Sequence, residues 1–409
     1  MSTKSLHSAL QDVPALMDGD MSIDYAREQM PEGSCPEQWL LEHPQVLQDF
    51  AREYVKAGSH IICTPTDNAD RNHLEAYGLG ERTVEINQEL TRLTVEACKA
   101  LDEDVLVAGC VSPLALHAQP FGETPFLDIV NIYAEQAFAL KRGGADMLIA
   151  DHMISLSHCR AAVLGCKQTK LPIMVVLEVE ADGETNLGCD LVSALIVCQS
   201  LGAEAFGLTC RKGDPKELIH HVEEMAPYGI IPLVVKPDTD LADSRQWARS
   251  MTDLWNSGAV ILGGGKGVTP DHLAELVKHL ESSQKAPKRV PLDTNTIFMA
   301  SEAEPYFLDE FFEQSEPIYC SFDMADELLA AEDDEYDVIT IQIDTMEDAW
   351  NFAENAHMLH KPVSFLSDSA EALEMALLMY NGRAFVDARS NLEEEELITI
   401  AKGYGAVVR

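Results

Sequence analysis

The sequence is poor in basic residues. Its 409 residues include 29 Lys and Arg against 69 Asp and Glu, which gives a formal net charge of −40. Nucleic acids and anionic membranes are bound mainly through Lys and Arg, so this composition argues against both as partners. An acid excess is also typical of salt-adapted proteins, although the 10 Cys and 15 Met do not strengthen that interpretation.

Long apolar runs and paired cysteines are missing as well. No stretch approaches the roughly 18 consecutive apolar residues of a transmembrane helix, and residues 1–12 lack the pattern of a signal peptide. No CxxC pair occurs, and several Cys lie in apolar runs, where a reduced thiol behaves as a small hydrophobic group. We therefore expect a cytoplasmic protein without a disulfide framework.

Short apolar runs recur along the first 280 residues, with amphipathic segments between them. This alternation is typical of a parallel sheet with crossover helices. The eight predicted strands are Ala15–Met17, His60–Cys63, Val105–Cys110, Met147–Ala150, Ile173–Leu177, Ala205–Thr209, Ile231–Val235 and Ala259–Leu262. Eight such units favour a (β/α)₈ TIM barrel over residues 1–281, although a doubly wound α/β sheet has the same periodicity.

A polar, locally basic run at residues 282–290 predicts a linker. Beyond it, strand-like and helical runs alternate over residues 291–409. The predicted strands are Thr296–Ala300, Ile318–Phe322, Val338–Ile343, Val363–Leu366, Ala384–Val386 and Ala406–Val408. This part is too short for a second closed barrel, so we predict a smaller C-terminal α/β domain of five or six strands.

The chemistry of such a barrel lies at the C-terminal ends of its strands and in the loops after them. The residues predicted there are Asp18, Gly19, Asp20, Cys63, Thr64, Thr66, Cys110, Ser112, Asp151, His152, Glu178, Glu180, Cys210, Arg211, Lys236, Asp238 and Gly263–Gly267. Convergent Cys, His and carboxylate groups suit a metal such as zinc. Filling of the barrel by small apolar side chains is the alternative for Cys63 and Cys110, whereas Cys210 is equally compatible with both interpretations.

The glycine run Gly263–Gly267 allows a second interpretation. Glycines let backbone N–H groups approach an anion at the N-terminus of the following helix, and Lys266 adds positive charge, so a phosphate site is physically reasonable. The GK[ST] ending of a P-loop is absent. A tight loop, with Thr269 as N-cap and Pro270 in the first helical turn, explains the same residues.

Motifs spread in order over about residues 15–280 carry a family resemblance. They are Leu16–Gly19, Pro36–Trp39, Tyr54–Gly58, Ile61–Thr66, Tyr77–Leu79, Ile86–Asn87, Val107–Cys110, Gly202–Leu208 and Thr269–His272. With these motifs the sequence resembles the homocysteine S-methyltransferase family, in particular the homocysteine-binding barrel of cobalamin-dependent methionine synthase. The resemblance implies a (β/α)₈ barrel that transfers a methyl group to a small thiol such as homocysteine.

The resemblance also implies a set of site residues. Members of the family hold zinc through three cysteines, and the metal binds the acceptor thiol as a thiolate. Carried over position by position, the first ligand is Cys210, while Gly265 and Lys266 replace the other two, so the zinc site is degenerate. Cys210 is thus the implied metal ligand or a direct catalytic thiol. The implied substrate-binding residues are Asp18, Gly19, Thr64, Thr66, Asp151 and Glu178. A relocated site would combine Cys210 with Cys63, Cys110 or His152.

The C-terminal third resembles, more weakly, part of the folate-binding barrel of methionine synthase. The matching segments are Lys361–Val363, Glu371–Leu377, Tyr380–Arg383 and Gly403–Val408. A closed folate barrel does not fit this length, and no corrinoid-binding Asp-x-His-x-x-Gly motif follows. The methyl donor would therefore be a methylated small molecule or a corrinoid on a separate protein. The shortened region would serve as a docking or homodimer surface.

Three functions agree with these observations. The first is a methyltransferase that acts on a small thiol with a degenerate zinc site. The second is a catalytically silent barrel that binds a corrinoid methyl-carrier protein. The third is a phosphate-binding barrel enzyme with Lys236 and Lys266 as its cationic groups.

Overall fold

A computed structural model describes residues 14–19, 30–101, 104–120, 122–180, 182–185, 188–283 and 296–409. The described residues fall into two compact units. The first lies within Met1–Ala115, Val130–Asn186 and Ala203–Val290, and the second within Leu116–Ile129, Leu187–Gly202 and Pro291–Arg409. The predicted boundaries at 281 and 291 remain a prediction. Residues 284–290 of the predicted linker and Asp20, predicted after the first strand, lie outside the described residues.

Eight parallel strands form the sheet of the first unit. They are β1 (Ala15–Leu16), β2 (Ile61–Cys63), β3 (Leu106–Val111), β4 (Met147–Met153), β5 (Ile173–Glu178), β6 (Ala205–Thr209), β7 (Leu233–Val235) and β8 (Ala259–Leu262). Neighbours in the sheet follow the chain, and β8 pairs with β1. A bridge from Met17 to Ile61 joins the ends of the sheet. The predicted α/β barrel is therefore confirmed.

Alternate residues of these strands fill the inside of the barrel. This cluster consists of Ala15, Met17, Ile61, Cys63, Leu106, Ala108, Cys110, Met147, Ile149, Met174, Val176, Ala205, Val234 and Ile261. The period of two follows from strand geometry, because successive side chains point to opposite faces. The two faces of each strand are thus both covered, as the continuous apolar runs of the sequence require.

The helices of residues 30–283 follow the strands along the chain. They are α1 (Pro36–Glu42), α2 (Pro44–Ala57), α3 (Arg71–Glu75), α4 (Thr83–Lys99), α5 (Phe126–Gly143), α6 (Leu156–Cys166), α7 (Leu191–Leu201), α8 (Ile219–Met225), α9 (Ser244–Ser257) and α10 (Pro270–Ser282). Helix α2 begins at Pro44 and ends at Ala57. The next residue, Gly58, caps it with a φ of 112°, the left-handed conformation that glycine adopts readily. In the described part of the chain, no helix has the length and apolarity to cross a membrane.

The C-terminal part of the second unit contains two further sheets. Strands β9 (Ile297–Ala300) and β10 (Pro305–Leu308) form an antiparallel pair. A parallel sheet contains, in order, β11 (Ile318–Tyr319), β12 (Ile339–Gln342), β13 (Val363–Leu366), β14 (Phe385–Val386) and β15 (Val407–Val408). The helices are α11 (Ala325–Asp333), α12 (Met346–Asn355), α13 (Ala370–Met379) and α14 (Glu394–Gly403). Strand β10 was not predicted, because a short run that starts with proline is typical of a turn.

Candidate functional site

The carboxyl end of β4 carries the first pair of charged residues, Asp151 and His152. The sequence placed both after the strand, but they lie within it, where the pairing of β4 with β5 shifts register between Ala150 and Met153. His152 has a φ of 53°, an uncommon left-handed conformation for a residue with a side chain. Such irregularities re-aim side chains at sheet ends, and here both side chains join one charged network.

Asp151 forms a buried ion pair with Lys236, the first residue after β7. Lys236 Nζ lies 2.7 Å from Asp151 Oδ2. The two residues are 2% and 5% exposed. Burial by itself would raise the pKa of Asp151, but the charges of Lys236 and His152 outweigh burial and hold this pKa well below its usual value. The carboxylate is therefore ionised at neutral pH.

The ring of His152 lies between two carboxylates. His152 Nδ1 is 3.2 Å from Asp151 Oδ1, and Nε2 is 3.3 Å from Asp238 Oδ1. A carboxylate accepts hydrogen bonds, so both ring nitrogens must carry protons to bind these partners. Burial lowers the pKa of His152, but the two carboxylates reverse that effect and raise it to about 10. His152 is thus an imidazolium, and its side chain is 25% exposed.

Asp238 connects this network to the three positions matched to family zinc ligands. Its backbone N–H donates to the carbonyl oxygen of Cys210 at 2.9 Å. Its Oδ1 accepts the backbone N–H of Lys266 at 2.7 Å. The N–H of Gly265 donates to the carbonyl oxygen of Pro237 at 2.9 Å. The structure therefore brings Cys210, Gly265 and Lys266 together around Asp238.

Residue 265 has no room for a side chain. A Cβ atom on Gly265 would overlap Asp238 Oδ1, far inside van der Waals contact. The Asp238 side chain thus occupies the space into which a cysteine at position 265 would project.

The cysteines predicted at the mouth are buried. Burial raises the pKa of the Cys210 thiol to about 12, and the negative charges of Asp238 and Glu217 act in the same direction. Cys63 and Cys110 belong to the apolar filling of the barrel. Burial, followed by the negative charge of Asp18, raises the pKa of Cys63 well above its usual value. Cys210 and Cys63 are therefore thiols rather than thiolates in this arrangement.

Glu178, the last residue of β5, faces Arg211, the residue after Cys210. Arg211 Nε lies 2.6 Å from Glu178 Oε1. The Glu178 side chain is 6% exposed, whereas that of Arg211 is 65% exposed. The pair therefore places an exposed cationic group over a buried carboxylate at the mouth.

The other predicted substrate-binding residues lie at the ends of β1 and β2. Asp18 Oδ2 accepts the backbone N–H of Cys63 at 2.8 Å. Thr66 donates its hydroxyl to the carbonyl oxygen of Cys110 at 2.8 Å, and Thr64 accepts the N–H of Cys110 at 3.0 Å. A Cβ on Gly19 would lie 2.5 Å from both Tyr54 Oη and Val268 O, so glycine is required there. These residues join β1, β2 and β3 at the mouth, and their role toward substrate remains a prediction.

The glycine run after β8 leads into a capped helix. The backbone N–H and the hydroxyl of Thr269 both contact His272 Nδ1, at 3.2 and 2.8 Å. His272 Nε2 then donates to the carbonyl oxygen of Leu241 at 2.9 Å. A pocket of about 340 Å³ beside this helix end is lined in part by Asp240 and Asp271. Two carboxylates make this pocket a poor match for phosphate.

Within the described ranges, no group of three or more His, Cys, Asp or Glu side chains has an arrangement suited to a metal ion. Sequence reasoning placed His152, Lys236 and Asp238 at strand ends but did not foresee that they pair. The available signal was a carboxylate, a histidine and a lysine directly after β4 and β7, on strands whose ends meet at one mouth.

Comparison with known proteins agrees with the barrel fold of residues 15–280. The sequence profile of the homocysteine S-methyltransferase family matches residues 15–280. The methionine synthase of Mycobacterium leprae (strain TN) is 26% identical over 282 residues, which cover 64% of this chain and 23% of that protein. The methionine synthase of Mycobacterium tuberculosis (strain ATCC 25618 / H37Rv) is 26% identical over 268 residues, 60% of this chain and 22% of that protein. The chain thus spans about a quarter of the length of these curated relatives.

A solved structure has the same fold. The metallated form of the homocysteine methyltransferase MmuM from Escherichia coli superimposes with a TM-score of 0.59 at 18% identity, over 68% of this chain and 100% of that chain. This likeness concerns the fold. The sequence profile, which covers more than half of the residues, shows that the chain belongs to the homocysteine S-methyltransferase family.

Proposed function

We propose that this chain transfers a methyl group to the sulfur of a small thiol such as homocysteine, with a charged network in place of the three-cysteine zinc site. The family assignment supports methyl transfer. The observation that carries the proposal is the position of His152, a partly exposed imidazolium held between Asp151 and Asp238 at the mouth.

A zinc ion held by three cysteines does not fit the residues present. Of the three matched positions, Cys210 carries a thiol, whereas Gly265 and Lys266 do not. The mechanism therefore uses the side chains of this chain without a metal step.

A thiol is a weak nucleophile until it loses its proton, and a nearby cation lowers its pKa. The imidazolium of His152 would stabilise the acceptor as a thiolate through its charge, because both of its N–H groups already bind carboxylates. The thiolate sulfur then forms a bond to the methyl carbon. The bond between that carbon and the donor breaks, and its electron pair leaves with the donor. The thiol proton passes to solvent.

The other charged groups would position the acceptor. Asp18 and Glu178 offer carboxylates at the strand ends for a substrate ammonium group, and the exposed Arg211 offers a cation for a substrate carboxylate. The buried Lys236 neutralises Asp151 and so fixes the carboxylate that orients His152. The donor would be a methylated small molecule or a methylated corrinoid on a separate protein.

The test is an activity assay of the full chain with homocysteine and either S-methylmethionine or methylcobalamin, with methionine quantified by mass spectrometry. His152→Gln removes the positive charge and should lower kcat/KM by about 10²-fold, the usual effect of removing one electrostatic group. His279→Gln is the matched control, because His279 has a similar exposure of 28% and lies on α10. Equal activity of both variants would contradict the role of His152.

A catalytically silent barrel is the second candidate, and the replacements at Gly265 and Lys266 favour it. It predicts binding of a corrinoid methyl-carrier protein without methionine formation from either donor. A pull-down with a corrinoid methyl-carrier protein beside the assay separates the two functions, because the silent barrel binds that protein without forming methionine.

A further inference from the structure

Two of the three positions matched to family zinc ligands carry no cysteine, and the side chain of Asp238 lies beside them. This residue lies three positions after β7, in a loop that contacts both segments matched to family ligands. Its N–H binds the carbonyl oxygen of Cys210 at 2.9 Å, and its carboxylate binds the N–H of Lys266 at 2.7 Å. A single carboxylate thus lies at the centre of the matched ligand positions.

We propose that the Asp238 carboxylate has taken the place of a metal-binding thiolate and keeps the mouth free of zinc. A Cβ on residue 265 would overlap Asp238 Oδ1, so this oxygen and a cysteine at that position exclude each other. Restoring the cysteines would therefore not restore the metal site while Asp238 remains.

The carboxylate is held in this position from two sides. Besides the N–H of Lys266, its Oδ1 faces His152 Nε2 at 3.3 Å. Rotation away from residue 265 would break the hydrogen bond to Lys266 and leave the His152 imidazolium with a single carboxylate partner. Charge-assisted contacts of this kind are the stronger ones in proteins. Asp238 is therefore a fixed obstacle rather than a flexible end that yields to a new side chain.

The net charge of the site differs from that of a zinc centre. A zinc ion with three thiolates carries one net negative charge, whereas Asp238 with His152, and Asp151 with Lys236, form a neutral set. The inference depends on the ligand positions used for the proposed function. Its readout is bound zinc, which does not require methyl transfer.

The experiment compares bound zinc in three full-length proteins purified without chelators: the wild type, the Gly265→Cys/Lys266→Cys double variant, and the same variant with Asp238→Ala. We expect close to one zinc per chain in the triple variant and at least about tenfold less in the other two. Replacement by Co²⁺ should give thiolate-to-cobalt absorption in the triple variant alone. Adding Cys210→Ala to the triple variant is the control and should remove most of the metal.

Three results would overturn the inference. The first is equal zinc in the double and triple variants, which would show that Asp238 is no obstacle. The second is zinc in the wild type that Cys210→Ala removes, which would show a rebuilt site. The third is a folded triple variant without zinc. If the zinc contents are as expected but the wild type transfers no methyl group, the proposed function is contradicted and this inference is not.

A second measurement covers the case in which the triple variant does not fold. Gly265→Cys should lower the melting temperature much less in an Asp238→Ser background than in the wild type, because the overlap is then relieved. Additive effects of the two substitutions would also overturn the inference, since residues in direct conflict are coupled.

Discussion

The barrel mouth holds paired charges of both signs, whereas residues 296–356 of the second unit carry exposed charges of one sign. At the mouth, two carboxylates and two cations alternate at distances of 2.7–3.3 Å. Residues 296–356 contain 18 Asp and Glu and no Lys, Arg or His, and each of these acids is at least partly exposed. Buried charges need exact partners, whereas exposed charges rely on water and salt. Single substitutions should therefore be severe at the mouth and mild in the second unit.

The largest effect should come from the buried pair. Lys236→Met leaves Asp151 buried with less compensation, and it should lower the free energy of unfolding by about 3–5 kcal/mol. Urea unfolding followed by tryptophan fluorescence in a Trp350→Phe background reports on the first unit, because Trp39, Trp247 and Trp255 all belong to it.

Glu304→Gln is the matched control in residues 296–356. Its side chain is 57% exposed and that of its partner His360 is 53% exposed, so its loss should cost about 1 kcal/mol or less, followed by circular dichroism. Similar losses for both substitutions would remove the contrast between the two regions.

Two glycines, one in each unit, allow the same comparison for side-chain packing. Gly19→Ala should cost about 1–3 kcal/mol, because the added carbon would lie 2.5 Å from Tyr54 Oη and Val268 O. Gly403→Ala in the second unit meets no atom within 4 Å. It should be neutral or stabilise by up to about 1 kcal/mol through the unfolded state. Urea midpoints of the two variants check this prediction, and equal midpoints would contradict it.

The free energy of unfolding should depend on pH in part through the protonation of His152. Its folded pKa of about 10 lies above the ordinary value of 6.5. The stabilisation is therefore complete below the unfolded pKa and is lost as the pH rises through the folded one. The free energy of unfolding should fall between pH 6.5 and 10.

His152→Gln tests this assignment, because the contributions of other titrating groups cancel when the profile of the variant is subtracted from that of the wild type. The variant should have a flatter profile over the same range. Two parallel profiles would show that another group causes the slope. Asp151, with its lowered pKa, contributes the opposite trend, a loss of stability as the pH falls through acid values.

The smallest effect should come from the exposed acids. Asp333 is the last residue of α11, and negative charge there opposes the helix dipole. Asp333→Lys should stabilise by about 0.3–1 kcal/mol in low salt. The gain should shrink in 0.5 M NaCl, where the Debye length falls to roughly 4 Å. A gain that does not change with salt would point to a cause other than charge.

The strands of the barrel were predictable because each is a buried apolar run between turn signals. The same reasoning placed Asp151, Lys236 and Asp238 at strand ends. Their pairing was not predictable, because Asp151 and Lys236 lie 85 positions apart and meet through the closure of the sheet. The left-handed backbone at His152 also has no sequence signal, since most residues avoid it.

The overlap at residue 265 likewise depends on tertiary structure. The resemblance implies that Gly265 stands where the family has a cysteine, but the sequence does not show which side chain fills the space. Asp238 fills this space because the loops after β7 and after β8 lie next to each other. Strand β10 was missed for a local reason, because its proline favours a turn interpretation.

Sulfur is abundant inside the barrel. Of the 14 residues that fill it, five are Met17, Cys63, Cys110, Met147 and Met174. Thioethers and thiols fill irregular space well, but their oxidised forms are polar and would not fit an apolar interior. Peroxide reaches these atoms when the barrel opens. The rate at which the three methionines are oxidised, followed by peptide mass spectrometry, would therefore report how often the barrel opens in the native protein.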